Sequence, residues 1–175
     1  TAWFNPTINS YKRINAPVTA SGATWAPNTI TYSGNNRTHM IRVPGPGRFE
    51  LRLMDGATNP YLLQAGILAA GIDGIEKKRN PGKPINVNMY EEGHKVKGAK
   101  KLPLTLEKAL SHLGKSTVMK DAFSKETIDS YIKLKNKEIK KYQSSNTKKI
   151  GFKGSKQSNK KNIITQWEKD NTLDC

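Results

Sequence analysis

The stretch Arg48-Phe49-Glu50-Leu51-Arg52-Leu53 decides how the chain is read. Charged and apolar side chains alternate along it, the period of a strand half buried against a core. Arg48, Glu50 and Arg52 fall on one face, and Phe49, Leu51 and Leu53 on the other. A carboxylate flanked by two guanidinium groups is held ionised, because nearby positive charge favours its charged form. In that form it suits a hard cation such as Mg2+ or Mn2+. Arginine forks beside such a cation suit phosphate or carboxylate, which they bind with two hydrogen bonds. The competing reading is an ordinary amphipathic strand with a row of surface ion pairs.

The surroundings favour the site over the plain strand. Lys12, Arg13, Arg37 and Arg42 lie upstream, and no Asp or Glu precedes Glu50. Positive charge gathered without local neutralisation points to an anionic partner. Pro44-Gly45-Pro46-Gly47 reads as a turn between two strands. It brings Arg42 beside Arg48, Glu50 and Arg52. The strands are expected at residues 29–33, 37–43 and 48–53, within a first stretch (1–58) of strands and loops.

Residues 59–143 read as mainly helical. Asn59-Pro60 supplies an N-cap and a proline at the first helical position. The following segment is apolar on nearly every face, which predicts a buried helix ending near Lys77-Lys78. Gly66, Gly71 and Gly74 in it would admit a close neighbour. Thr105 caps a second helix. Ser124 opens a third, with Ile128, Tyr131, Ile132 and Leu134 as its apolar stripe and a basic end at Lys135 to Lys141.

The chain carries a formal net charge of +16, much of it in the lysines of residues 133–161. Residues 144–162 cannot bury enough apolar surface to offset the entropy of ordering, and read as a flexible lysine-rich insertion. Counterion release would let such a tract bind nucleic acid. Only Tyr142 and Phe152 stand there as stacking groups, too few for a base-binding platform, so a solvated loop is the preferred reading. Residues 163–175, with Ile163, Ile164 and Trp167, read as a short docking segment. The single cysteine, Cys175, excludes an internal disulfide framework. No apolar run approaches the roughly 18 residues of a membrane span. His39, His94 and His112 share no metal-ligand spacing. The composition fits a cytoplasmic protein.

Several of these stretches carry a family resemblance. Asn5-Pro6-Thr7-Ile8-Asn9-Ser10-Tyr11-Lys12-Arg13 resembles the N-P-T-x-N-S-Y-K-R segment of glutamine synthetases. Asn36-Arg37, Ile41-Arg42-Val43-Pro44 and Arg48-Phe49-Glu50-Leu51-Arg52 resemble that family's N-R, I-R-I/V-P and R-x-E-x-R elements, in order. Asn59-Pro60-Tyr61-Leu62 and Leu68-Ala69-Ala70-Gly71-Ile72-Asp73-Gly74-Ile75 resemble its A-N-P-Y-L and L-A-A-G-L-D-G-I helix. The match is specific over 5–78, weaker over 79–140 and faint beyond. Ser21-Gly22-Ala23-Thr24-Trp25-Ala26-Pro27 and the ending from Trp167 resemble the sub-branch that includes γ-glutamylmethylamide synthetases.

The resemblance implies an α+β fold: the C-terminal half of a glutamine synthetase catalytic domain, antiparallel strands followed by helices over 1–143, inactive by itself. It implies ATP, Mg2+ or Mn2+, glutamate, and ammonia or methylamine as cofactors and substrates. It also implies a homo-oligomer of stacked rings, with the C-terminal segment contacting other subunits. By motif position, Glu50 would ligate a divalent cation, and Arg37 and Arg52 would stabilise the transferring phosphoryl group. Arg37, Arg42 and Arg48 would bind ATP phosphates, and Arg13 the glutamate carboxylate. Phosphorylating an inert carboxylate gives the amine a leaving group to displace, a task of positioning and charge neutralisation.

The sequence departs from that pattern in three places. Ammonia-using members carry a flap glutamate shortly after the K-R pair, where Asn15 stands nearby and no acid follows until Glu50. A neutral lid would tolerate methylamine. The Pro44 to Gly47 turn is short and lacks a lysine. Tyr90 sits where some bacterial relatives are adenylylated, but Glu91-Glu92-Gly93 does not match their flanks.

Overall fold

A computed structural model describes residues 1–15, 26–147 and 166–172. Its first element is a helix, where the sequence predicts only strands and loops. Helix α1 (Ile8–Ile14) begins at Thr7, whose hydroxyl accepts from the Ser10 amide while Ser10 Oγ accepts from the Thr7 amide. This reciprocal cap satisfies two amides that have no partner inside the helix.

The sheet has three short strands, β1 (Tyr32–Ser33), β2 (Ile41–Gly45) and β3 (Arg48–Leu51), in that order. β2 and β3 form the expected antiparallel pair, joined at Pro46-Gly47, where Gly47 takes φ +71°. β1 runs parallel to β2, so the expectation of antiparallel strands is corrected on that side. The sequence hides this because residues 34–40 return the chain in far fewer than the dozen or so residues usual for a parallel crossover. The strand expected at 29–33 also divides. Thr29 bridges to Lys101, while Tyr32 and Ser33 pair with Ile41 and Arg42. Residues 37–40 form a turn followed by a bend, so β2 starts later than expected.

Helix α2 (Pro60–Glu76) starts where Asn59 and Pro60 direct it, with Asn59 Oδ1 accepting from the amides of Tyr61 and Leu62. The expectation of burial does not hold for it. Gly66 is its one buried residue, whereas Tyr61 is 81% and Ile75 79% exposed, with Leu68 and Ile72 also open. Only at Gly66 is a neighbour close. A Cβ there would lie 3.2 Å from the Phe4 ring, while Gly71 and Gly74 have nothing within 4 Å.

The core forms instead between the N-terminal segment and α3 (Leu106–Gly114), α4 (Thr117–Phe123) and α5 (Lys125–Thr147). Thr105 and Ser116 cap α3 and α4 through their hydroxyls. Ser124, at φ +66°, turns the chain from α4 into α5 and accepts from the Thr127 amide. Trp3 packs edge-on against Phe123 and Tyr131, with ring centroids 4.4 and 6.0 Å away. On α5, Ile128 and Ile139 are buried, but Leu134 points to solvent, so the stripe runs through Ile139 and not through Leu134. α5 continues past the expected boundary at 143. Residues 148–162, like Ile163, Ile164 and Cys175, lie outside the described residues. Helix α6 (Gln166–Thr172) returns to this body: Trp167 packs edge-on against Tyr142, and the buried Glu168 pairs with Lys12.

Candidate active site

The antiparallel register sets Arg42 directly opposite Glu50. Arg42 Nη1 donates to Glu50 Oε2 at 2.7 Å. The rest of its fork, Nε and Nη2, donates to Asn35 Oδ1 at 2.9 and 2.5 Å. Arg42 is nearly buried, while Glu50 keeps 46% of its side chain exposed. The hydrogen bond from Arg42, together with the positive charges of Arg42, Arg48 and Arg37, holds the Glu50 carboxyl below the usual carboxylate range. The carboxylate is therefore ionised as the sequence implied. Its closest partner, however, lies across the sheet and not two residues along the strand. Arg37 and Arg48 are exposed beside it.

A second group forms at the end of β3. Arg13, carried by α1, donates Nη2 to the carbonyls of Leu53 and Met54 at 2.7 and 3.1 Å and to Asn5 Oδ1 at 3.3 Å. Burial and the charge of Arg52 lower the Arg13 pKa and Asp55 opposes them, yet a guanidinium remains charged at any ordinary pH. Arg52 extends the strand pairing through its amide, which donates to the Met40 carbonyl at 2.8 Å, and its Nη1 is buried.

Tyr90 joins this second group, which sequence reading did not foresee. Burial pushes its phenol up, while the positive charges of Arg52 and Arg13 pull it down. No local pattern signals this, because the placement comes from a strap, residues 82–90, laid along β1. Ile85 N donates to Tyr32 O at 3.0 Å, Ser33 Oγ to Asn86 Oδ1 at 2.9 Å, and Asn36 Nδ2 to Val87 O at 3.1 Å. Met89 N donates to Thr38 Oγ1 at 3.0 Å. His39 lies fully buried under the strap, Nε2 at 3.0 Å from Val87 O and Nδ1 at 3.0 Å from Thr31 Oγ1. Asn15 belongs to neither group. Its amide donates to the carbonyls of Tyr11 and Leu104 at 2.7 and 2.9 Å, closing the end of α1.

Among the described residues there is no cluster of three or more His, Cys, Asp or Glu side chains that would hold a metal alone. Glu50 fits a hard cation as a single ligand. Arg42 occupies Oε2, and no described residue donates to Oε1. No described helix is long and apolar enough to cross a membrane.

The sequence model of the family described as glutamine synthetase, catalytic domain, matches residues 1–151. The chain belongs to that family. A glutamine synthetase of Rhizobium leguminosarum bv. phaseoli is 54% identical over 170 residues, covering 97% of this chain and 35% of the relative. A glutamate–methylamine ligase of Methyloversatilis universalis is 45% identical over 140 residues, covering 78% of this chain and 31% of the relative. A solved GmaS/ADP complex superposes with a TM-score of 0.76 at 49% identity, covering 99% of this chain and 36% of that one. The chain thus spans about a third of the length of the glutamine synthetases it matches, 35% in the two Rhizobium proteins. The α+β arrangement of a partial glutamine synthetase catalytic domain agrees with the resemblance seen in the sequence.

Proposed function

We propose that this chain is the portion of an ATP-dependent glutamate ligase that handles phosphate and one divalent cation. The observation that carries the reading is Glu50, held ionised by Arg42 with the exposed Arg48 and Arg37 beside it. A free carboxylate resists an amine because oxide is a poor leaving group. Transfer of the ATP γ-phosphoryl group to the γ-carboxylate of glutamate forms one P–O bond and breaks the bond to ADP. The amine then forms the C–N bond, phosphate leaves, and the nitrogen gives up a proton.

In this reading Arg48 and Arg37 take the ATP phosphates, and Arg37 and Arg52 stabilise the phosphoryl group in flight. Arg42, which family position also assigns to ATP phosphates, holds Glu50 in place. Arg13 is anchored through Nη2, which leaves Nη1 for the glutamate carboxylate. A divalent cation (Mg2+ or Mn2+), when bound, neutralises phosphate charge, and Glu50 is its ligand from this chain.

Ammonia is the acceptor in the first reading, giving glutamine. Methylamine is the second, supported by the 45% identity to a glutamate–methylamine ligase. We further read the protein as a cytoplasmic homo-oligomer of stacked rings, divided into a body that runs to the end of α5 at Thr147, a lysine-rich insertion up to 162 and a docking segment over 163–175. The test is ATP-dependent phosphate release with glutamate by the full-length protein, with ammonium and methylamine compared at matched free base. Faster turnover with one amine assigns the acceptor. Glu50→Ala should abolish turnover with both, and retained activity in that variant would sink the reading.

A further inference from the structure

We propose that Asn35 is a positioning residue which clamps Arg42 and thereby presents Glu50 to a divalent cation through a single carboxylate oxygen. The inference rests on the reading of Glu50 as a cation ligand.

A guanidinium is a flat fork whose donors point in fixed directions. Fixing one edge of it therefore aims the rest. Asn35 Oδ1 accepts from Nε and Nη2 of Arg42, both on one side of the fork. That leaves Nη1 pointed across the sheet, where it reaches Glu50 Oε2 at 2.7 Å. Glu50 is then gripped by one oxygen only. Had Arg42 met it edge to edge, both carboxylate oxygens would be occupied. With the Nε–Nη2 edge taken by Asn35, side-on pairing is closed off, and Nη1 meets Glu50 through Oε2 alone, which leaves Oε1 available.

The chemistry of residue 35 matters as well as its place. A carboxamide oxygen accepts two hydrogen bonds but carries no net charge. Arg42 thus keeps its full positive charge for Glu50, which it helps to hold ionised. An aspartate at 35 would keep the clamp while sharing that charge. Alanine would remove the clamp and let the fork rotate. Partners that hydrogen-bond a metal ligand typically change metal affinity by about 10- to 100-fold when removed, and Asn35 acts one contact further out, through Arg42, so the lower end of that range applies.

The experiment is a Mn2+ titration of the full-length protein without nucleotide, following free Mn2+ by its EPR signal. Wild type is compared with Glu50→Gln, Asn35→Ala, Asn35→Ser and Asn35→Asp. Asn35 is exposed, and melting curves of the metal-free proteins check that each variant is folded. The expected result is that Glu50→Gln weakens one site, and that Asn35→Ala and Asn35→Ser weaken the same site by roughly 10-fold. Asn35→Asp should weaken it less than Asn35→Ala does, since the two hydrogen bonds of the clamp survive while Arg42's charge is shared. If Glu50→Gln weakens the site and Asn35→Ala does not, the positioning role is wrong and Glu50 remains a ligand. Equal weakening by Asn35→Ala and Asn35→Asp overturns the clamp too, because geometry would then not be what matters. If Glu50→Gln leaves the titration unchanged, the ligand reading fails and this inference with it.

Discussion

Lys12 Nζ lies 2.5 Å from Glu168 Oε2, joining α1 to α6 across most of the chain's length. Glu168 is fully buried and Lys12 is 14% exposed, so the pair is not a surface decoration. Removing one member of a buried pair leaves the other in a poor environment and typically costs about 3–5 kcal/mol. Lys12→Met should therefore lower the urea midpoint substantially. Lys12→Met with Glu168→Leu should recover much of the loss, since neither charge then needs desolvating. A double variant no more stable than the single one would count against this.

His39 gives a pH dependence whose sign follows from burial. Burial lowers its pKa from the ordinary 6.5, and the hydrogen bond to Val87 only partly opposes this. The unfolded chain then takes up a proton before the folded one does. The stability contributed by neutral His39 is fully present above the unfolded pKa, falls as pH drops below 6.5, and levels off once the folded pKa is passed. Urea titrations at pH 8 and pH 5.5 should show a smaller pH effect for His39→Gln than for wild type. Identical pH effects would mean that the buried ring is not the group responsible.

Arg42→Lys separates charge from geometry. Lysine keeps the positive charge but cannot hold Asn35 Oδ1 with two donors while reaching Glu50. Glu50 is half exposed and its pairing is screened by water, so stability should change little. Phosphate release by the full-length protein should fall by at least roughly 10-fold, because the ligand carboxylate is no longer aimed. Activity close to wild type would show that charge alone suffices at this position.

Glycines of α2 make a paired test. Gly71 faces open space, and Gly71→Ala should stabilise the helix by up to about 1 kcal/mol through propensity alone. Gly66→Ala brings the same propensity gain but sets a Cβ 3.2 Å from the Phe4 ring and 3.5 Å from Trp3. It should gain less than Gly71→Ala or lose stability, depending on how far Phe4 can shift. Melting temperatures of the two variants decide it, and equal gains would argue that Phe4 does not pack there.

Much of the fold was legible wherever a local signal is sufficient. The alternation in 48–53 marked β3, Asn59-Pro60 marked the start of α2, and Thr105 and Ser124 marked the starts of α3 and α5. What escaped depends on contacts between distant segments. The parallel pairing of β1 is fixed by the 34–40 return and the strap across it, and neither leaves a period in the sequence. The ionised state of Glu50 could be read from nearby arginines, but its partner could not, because cross-strand register chose Arg42 over Arg48 and Arg52. Tyr90 reaches Arg13 and Arg52 only because residues 82–90 lie along β1. Apolar content alone misjudged α2, since hydrophobicity shows that a helix favours a partner, not which partner it has.

The open side of α2 and the net charge of +16 pull the chain's behaviour in solution in opposite directions. Tyr61, Leu68, Ile72 and Ile75 form an exposed apolar strip on α2, a surface through which two copies would shed water if they met. Lysine and arginine repulsion keeps those copies apart over a distance that shrinks from about 30 Å at 0.01 M salt to about 8 Å at 0.15 M. Ionic strength should thus set the balance for this chain in solution, and its light scattering is expected to rise as salt is added.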